Sequence, residues 1–203
     1  ADPDTLSNLG PLARLAGIWI GERGLDVHPK AEGPRKQAFI ERYELQPIDP
    51  QTNGPQLYYG LRYHTHITKP GRLKTFHDQI GYWLWEPASG TILHTIAIPR
   101  GQVLMAVGSA EADARSFTLK AERGSETFGI VSNPFLEYAF KTTAFEITAT
   151  TTDDGTWSYD QTTTLIIPGQ AEPFLHTDRN TLVKVGAPTP NPLTVEAARP
   201  RQA

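Results

Sequence analysis

Residues 57–67 read Leu-Tyr-Tyr-Gly-Leu-Arg-Tyr-His-Thr-His-Ile, and this stretch decides the fold. Side chains two positions apart lie on the same face of a β-strand. Leu61, Tyr63 and Ile67 therefore share one face, and His64 and His66 lie on the other. One apolar face and one polar face are typical of a strand that covers an interior on one side and meets solvent on the other.

The same texture continues in both directions along the chain. Short segments rich in β-branched and aromatic residues alternate with Gly, Pro, Asn and Asp clusters that favour turns. About ten consecutive strands with short hairpin links predict an all-β fold, an antiparallel up-and-down β-barrel whose closure removes the exposed edges. The predicted strands are 17–22, 38–46, 56–68, 74–86, 91–98, 102–108, 115–122, 126–131, 140–152, 156–166 and 173–185.

A short helix is predicted over residues 6–15, just before the first strand. Its Leu residues recur every three positions, which places them in one apolar stripe. Trp19 follows within the Gly17-Ile18-Trp19 step. We expect the helix to plug one end of the barrel, with Trp19 buried against it and the cationic stem of Lys184 over the indole ring.

The length of 203 residues suits one β-domain, which we place at residues 1–186. Residues 187–203 are rich in Pro and poor in apolar side chains, so they predict a flexible C-terminal tail. The chain has no Cys, which excludes disulfides and thiolate metal sites. Its net charge of −3, with basic and acidic residues mixed along the sequence, argues against nucleic acid as a partner.

No apolar run approaches the roughly 18 residues of a membrane helix, so we expect no membrane partner. The first residues, Ala1-Asp2-Pro3-Asp4, have neither the basic start nor the apolar core of a signal peptide. We therefore expect a cytoplasmic location, with export left open. The oligomeric state is not predicted.

Three segments carry a resemblance to a known family. Gly17-Ile18-Trp19-Ile20-Gly21 resembles the start of the Gly-x-Trp-x-Gly-x-Gly signature of the nitrobindin-like haem-binding β-barrels, which are calycin-like relatives of fatty-acid-binding proteins. Residues 76–83 resemble the central strand of that family, and residues 174–182 resemble its last strand. The segments occur in the family's order, and the resemblance spans roughly residues 12–186. It is closest to a longer bacterial branch, in which Ile98-Pro99-Arg100-Gly101 also recurs.

The resemblance implies haem b in the mouth of the barrel and the binding of nitric oxide. Isomerisation of peroxynitrite to nitrate is a further activity that it leaves open. It also implies that the last strand supplies the proximal iron ligand, which is His176 in this chain. His77, on the central strand, is then a polar contact near the haem.

The residues themselves support these sites and leave alternatives. A haem iron needs one neutral imidazole, and Asp178 or Thr177 could orient His176 or its neighbours; the alternative is a hydrogen-bonded structural His. Gly81 lies inside a strand, which marks close approach of either a ligand or another backbone. His94 falls in phase with the apolar face of its strand, and His28 is expected in an exposed loop.

Other ligands remain open from the residues alone. The main alternative function is a non-catalytic carrier of a fatty acid or another small hydrophobic molecule, with Arg100 or Arg179 as the candidate partner of a carboxylate. A third possibility is a barrel so filled by aromatic side chains that it binds nothing; these are Trp83, Trp85, Trp157 and Tyr159. The His64 and His66 pair could share a metal ion, but it lacks a third ligand and is expected to face solvent.

Overall fold

The computed structural model describes residues 4–189 together with residues 191, 196 and 199, and its main element is one large antiparallel sheet. The described strands, in chain order, are β1 (Gly17–Lys30), β2 (Gly33–Pro47), β3 (Gln51–Asn53), β4 (Gln56–Thr68), β5 (Thr75–Trp85), β6 (Thr91–Ile98), β7 (Gln102–Ser109), β8 (Ser116–Glu122), β9 (Ile130–Ser132), β10 (Lys141–Thr151), β11 (Thr156–Ile166) and β12 (Phe174–Gly186).

The sheet closes on itself. Each long strand pairs antiparallel with the next long strand along the chain, β12 pairs with β1, and the pairing of β2 with β4 completes the ring. Ten strands form the barrel, and the short strands β3 and β9 pair with β4 and β7 at its margins. The predicted all-β, antiparallel up-and-down barrel of about ten strands is confirmed.

The alternation that predicted the strands also gives their faces correctly. On β4, Leu61, Tyr63 and Ile67 are buried, whereas His64 is exposed. On β6, His94 is buried together with Ile92 and Ile96. An apolar interior therefore forms from every second residue around the ring.

Several element boundaries differ from the prediction. The first strand runs to Lys30 because its second half pairs with β2, up to the Lys30–Gly33 pair. The predicted turn at 51–54 contains β3. A short helix that the sequence did not predict, α1 (Pro134–Ala139), begins after Asn133, whose side chain accepts hydrogen bonds from the backbone N–H groups of Phe135 and Leu136.

The predicted N-terminal helix is shorter than expected and is a 3₁₀ helix, Gly10–Leu15. Gly10 has φ +54°, which no α-helical residue adopts, and Pro11 follows it, so an α-helix over 6–15 was a wrong prediction. The apolar stripe is nevertheless real, because Leu12 and Leu15 are fully buried in the core. The helix closes one end of the barrel, as predicted.

Trp19 completes this closed end. It is buried, and its indole N–H donates a 2.8 Å hydrogen bond to the carbonyl of Leu15. Its ring meets Trp157 edge-on, with 6.3 Å between centroids. The Lys184 ammonium lies 4.7 Å from the centre of the Trp19 ring, which confirms the predicted cation–π contact.

The segment after the barrel is described only in part: residues 190, 192–195, 197–198 and 200–203, and with them most of the predicted tail, lie outside the described residues. The backbone N–H of Thr189 donates to the side-chain oxygen of Gln46 at 2.7 Å, and the buried Asn191 donates to Asp49. These two residues therefore contact the barrel wall. Within the described part of the chain, no helix is long and apolar enough to cross a membrane.

Candidate functional site

A cavity of about 370 Å³ occupies the half of the barrel away from the 3₁₀ helix. The other half is filled by stacked aromatic side chains such as Trp83, Trp157 and Tyr43. The interpretation of the barrel as completely filled is therefore wrong. The walls of the cavity are largely apolar and include Phe76, Ile98, Leu104, Phe140, Phe145 and Leu165.

His176 lies in the wall of this cavity, on β12. Its Nε2 is 2.6 Å from Oδ1 of Asp26, a buried carboxylate on the neighbouring strand β1. Burial by itself lowers the pKa of His176, but the hydrogen bond to Asp26 and the charges of Asp178 and Asp26 outweigh it, so that the pKa is raised. A carboxylate at one ring nitrogen orients the imidazole and leaves the other nitrogen, Nδ1, for a ligand.

A second carboxylate completes this corner. Asp178 is the direct cross-strand partner of Asp26, and its Oδ2 lies 3.7 Å from His176 Nε2. Burial, together with the neighbouring charge of Asp26, raises the pKa of Asp178 to about 7, although the charge of His176 opposes the rise. The pKa of Asp26 is lowered: burial raises it, but the hydrogen bonds from His176, Asp178 and His28 outweigh the burial.

His28 also belongs to this corner, which corrects its expected place in an exposed loop. It lies on β1 because that strand continues to Lys30, and its side chain is only 16% exposed. Its Nδ1 contacts Asp26 Oδ2. No local signal marks this pair, since the charged and Pro-containing end of β1 is typical of a loop.

His77 lines the cavity too, but both of its ring nitrogens are engaged. Nδ1 accepts a 2.8 Å hydrogen bond from the guanidinium of Arg100, so the ring proton is on Nε2, which donates to Oε1 of Gln79 at 3.1 Å. The Gln79 amide in turn donates to Tyr63. Burial lowers the pKa of His77 to about 4, which keeps the ring neutral near pH 7.

Gly81 is not among the residues that line the cavity. It lies where the pairing of β5 and β6 is interrupted, between the Ile80–Ala97 and Trp83–His94 pairs. A β carbon at this position would lie 2.0 Å from the carbonyl oxygen of Thr95. Close approach of the neighbouring backbone, one of the two explanations open from the sequence, therefore accounts for this glycine.

Replacing Gly81 by Ala should destabilise the protein by about 3 kcal/mol, because the added methyl group meets backbone atoms that cannot rotate away. Chemical unfolding of wild type and variant measures the difference. The neighbouring change Ile80→Val, on an outward-facing side chain, should alter the free energy of unfolding by no more than about 0.5 kcal/mol. A Gly81→Ala protein as stable as wild type would contradict the close backbone contact.

Two polar residues in the cavity wall were not proposed as site residues. His94 is 1% exposed and lies flat against Trp83, with 3.8 Å between ring centroids. Its Nδ1 has no hydrogen-bond partner among the described residues, and burial lowers its pKa to about 3. The phase of His94 within its apolar strand was the signal for its burial.

Glu41, the second such residue, is 1% exposed and accepts hydrogen bonds from Thr65, Tyr159 and Asn180. Burial raises its pKa against the effect of these bonds. The sequence signal was present: Glu41 shares the inward phase of Phe39 and Tyr43 on β2.

The remaining candidates lie elsewhere. His64 and His66 are on the outer face of β4, bonded to Asp78 and Thr75, so neither reaches the cavity. Of the two Arg residues considered for a carboxylate, Arg100 lines the cavity, whereas Arg179 is exposed and is not part of its wall.

Comparison with known proteins agrees with this architecture. The family model described as "THAP4-like, heme-binding beta-barrel domain" matches residues 8–184. Ten chains of solved structures match significantly, among them Rv2717c from M. tuberculosis, with 21% identity, a TM-score of 0.60, and coverage of 89% of this chain and 96% of that one. At this identity the likeness supports the fold alone, and a search of curated proteins finds no significant match. The family resemblance drawn from the motifs is confirmed, and the chain belongs to the family of THAP4-like haem-binding β-barrel domains.

Proposed function

We propose that the protein binds one haem b in the open half of the barrel, with His176 as the proximal ligand of the iron. The observation that carries this proposal is the place of His176 in the cavity wall, with its Nε2 held by the buried Asp26 at 2.6 Å. Its Nδ1 takes part in none of the hydrogen bonds of the described residues. A metal-ligating His typically has this arrangement, with one nitrogen fixed by a carboxylate and the other left for the metal.

The surroundings fit such a group. The cavity volume of about 370 Å³ lies within the range of small-molecule sites, and its apolar walls exclude water from a bound macrocycle. Both nitrogens of His77 are occupied, and His94 is packed flat against Trp83 deep in the barrel. Among the cavity histidines, His176 is thus the one that combines an exposed ring with a nitrogen not yet engaged.

Haem bound in this way would supply an open coordination position, at which we propose that nitric oxide binds and peroxynitrite is isomerised to nitrate. The part of the chain is to hold and orient. His176 binds, Asp26 fixes the imidazole ring, and the apolar walls keep the site dry. Arg100 places a guanidinium in the wall, where it attracts anionic groups.

Titration of the haem-free protein with haem tests the proposal. We expect one haem per chain, a Soret band, and a shift of that band when nitric oxide is added. Decay of peroxynitrite with an increased yield of nitrate would report the isomerisation. Asp26→Asn should weaken haem affinity by about 10- to 100-fold, because it removes the charge that orients His176.

A matched control is His66→Ala, which changes a His on the outer face of β4 and should leave the titration unchanged. Absence of a Soret band at micromolar haem would overturn the proposal. The same affinity in Asp26→Asn as in wild type would exclude Asp26 as the residue that positions the ligand.

A second candidate, a carrier of fatty acids, is favoured by one observation: Arg100 lines an otherwise largely apolar cavity. Its guanidinium already donates to His77 and to the carbonyl of Phe76, so a carboxylate would have to share it. Displacement of a fluorescent fatty acid from the haem-free protein, weakened by Arg100→Ala, would support the carrier.

A further inference from the structure

Two carboxylates face each other at the mouth of the cavity, and no Lys or Arg neutralises them within the described residues. Asp26 and Asp178 are paired across β1 and β12, where like charges destabilise a sheet. The contacts described for them are with each other, His28, His176 and the amide of Gln161. Arg100, which also lines this cavity, donates to His77 instead. Buried carboxylates are normally paired with a cation or bound to a metal.

We infer that Asp26, Asp178 and His176 bind a divalent first-row transition-metal ion at the mouth of the barrel. One ligand atom from each residue lies within 4.8 Å of the other two. His176 Nε2 is 2.6 Å from Asp26 and 3.7 Å from Asp178. Ligands of a tetrahedral Zn²⁺ ion are about 3.4 Å apart, since each bond is about 2.1 Å long. The ion would take the place of the proton between His176 and Asp26, after a shift of less than about 1 Å in their separation.

The donor set defines the class of ion. One imidazole and two carboxylates suit Zn²⁺ and its neighbours in the first transition row, whereas Mg²⁺ and Ca²⁺ prefer oxygen ligands throughout. Three protein ligands leave a position open to water. His28 contacts the second oxygen of Asp26 and would hold that carboxylate in place.

This inference goes beyond the proposed function and stands independently of it. The metal ion would use Nε2 of His176, on the side of the two carboxylates, whereas the haem proposal uses the nitrogen that Asp26 leaves free. Each can therefore succeed or fail without the other.

The test is calorimetric titration of the metal-stripped, haem-free full chain with Zn²⁺ alone. We expect one ion per chain with a Kd on the order of 10 μM or tighter. Asp178→Asn and His176→Ala should each weaken binding by at least about tenfold. The double variant His64→Ala/His66→Ala removes the other His pair, which lies on the outer face of β4 beside Asp78, and should bind Zn²⁺ as wild type does.

Failure of the wild-type protein to bind Zn²⁺ would overturn the inference. It would also be overturned by binding that Asp178→Asn leaves intact, or by binding that disappears in the His64/His66 double variant. Circular dichroism verifies the fold of each variant, and Asp26→Asn replaces Asp178→Asn as the test should the latter not fold. Titration of the same preparations with haem separates the two proposals, because Zn²⁺ binding without a Soret band sinks only the haem site.

Discussion

Replacing His176 by Ala is expected to abolish haem uptake at micromolar concentration. The change removes the iron ligand itself, whereas loss of a group that merely orients a ligand costs about 10- to 100-fold in affinity. The affinity should therefore fall by more than about 100-fold, or about 2.8 kcal/mol. The barrel should remain folded, because the His176 side chain is 30% exposed and lies at the rim of the cavity rather than in the core.

Absorbance titration of wild type and His176→Ala measures this effect, and circular dichroism verifies the fold. His66→Ala is again the matched control, since its ring lies on the outer face of β4 and bonds Thr75. A His176→Ala protein with an unchanged Soret band and unchanged affinity would exclude His176 as the ligand. His94, whose Nδ1 lacks a partner among the described residues, would then be the next residue to replace.

The protein should lose stability steeply as the pH falls below about 6.5, the ordinary pKa of His in an unfolded chain. Burial lowers the pKa of His94 to about 3 and that of His77 to about 4 in the folded state. Between pH 6.5 and these values the unfolded chain binds protons that the folded chain does not. The stabilisation is thus complete above pH 6.5 and falls by up to about 1.4 kcal/mol per pH unit for each His.

The variant His94→Phe isolates one of these contributions. It retains an aromatic ring against Trp83 but removes the titrating group, so the slope of unfolding free energy against pH should decrease by about one proton between pH 6 and 4. Glu41 and Asp178, whose pKa values are raised, act in the opposite direction in both proteins and cancel in the comparison. Urea unfolding at a series of pH values measures the slopes. Equal slopes would mean that His94 titrates normally.

Local pattern was sufficient for the fold. Alternation over residues 57–67, turn residues at regular intervals and the Leu stripe before Trp19 predicted a closed barrel with one plugged end. These signals work because a strand repeats every two residues wherever one face is buried. The family followed from three short motifs in the right order. His176 was singled out from its place on the last strand.

The parts that local pattern missed depend on residues distant in the chain. Asp26 and His176 are 150 positions apart, and they meet because β1 pairs with β12 when the barrel closes. The same closure draws His28 out of its expected loop.

The sequence by itself determined the fold class, the inward phase of each strand and the family. Only the tertiary structure decided which polar groups meet at the cavity: it locked His77 between Arg100 and Gln79, assigned Gly81 a backbone contact, and set Asp178 opposite Asp26. The physical reason is that periodicity reports which side of a strand faces the interior. Contacts between side chains depend on the register between strands, which is settled only when the sheet closes.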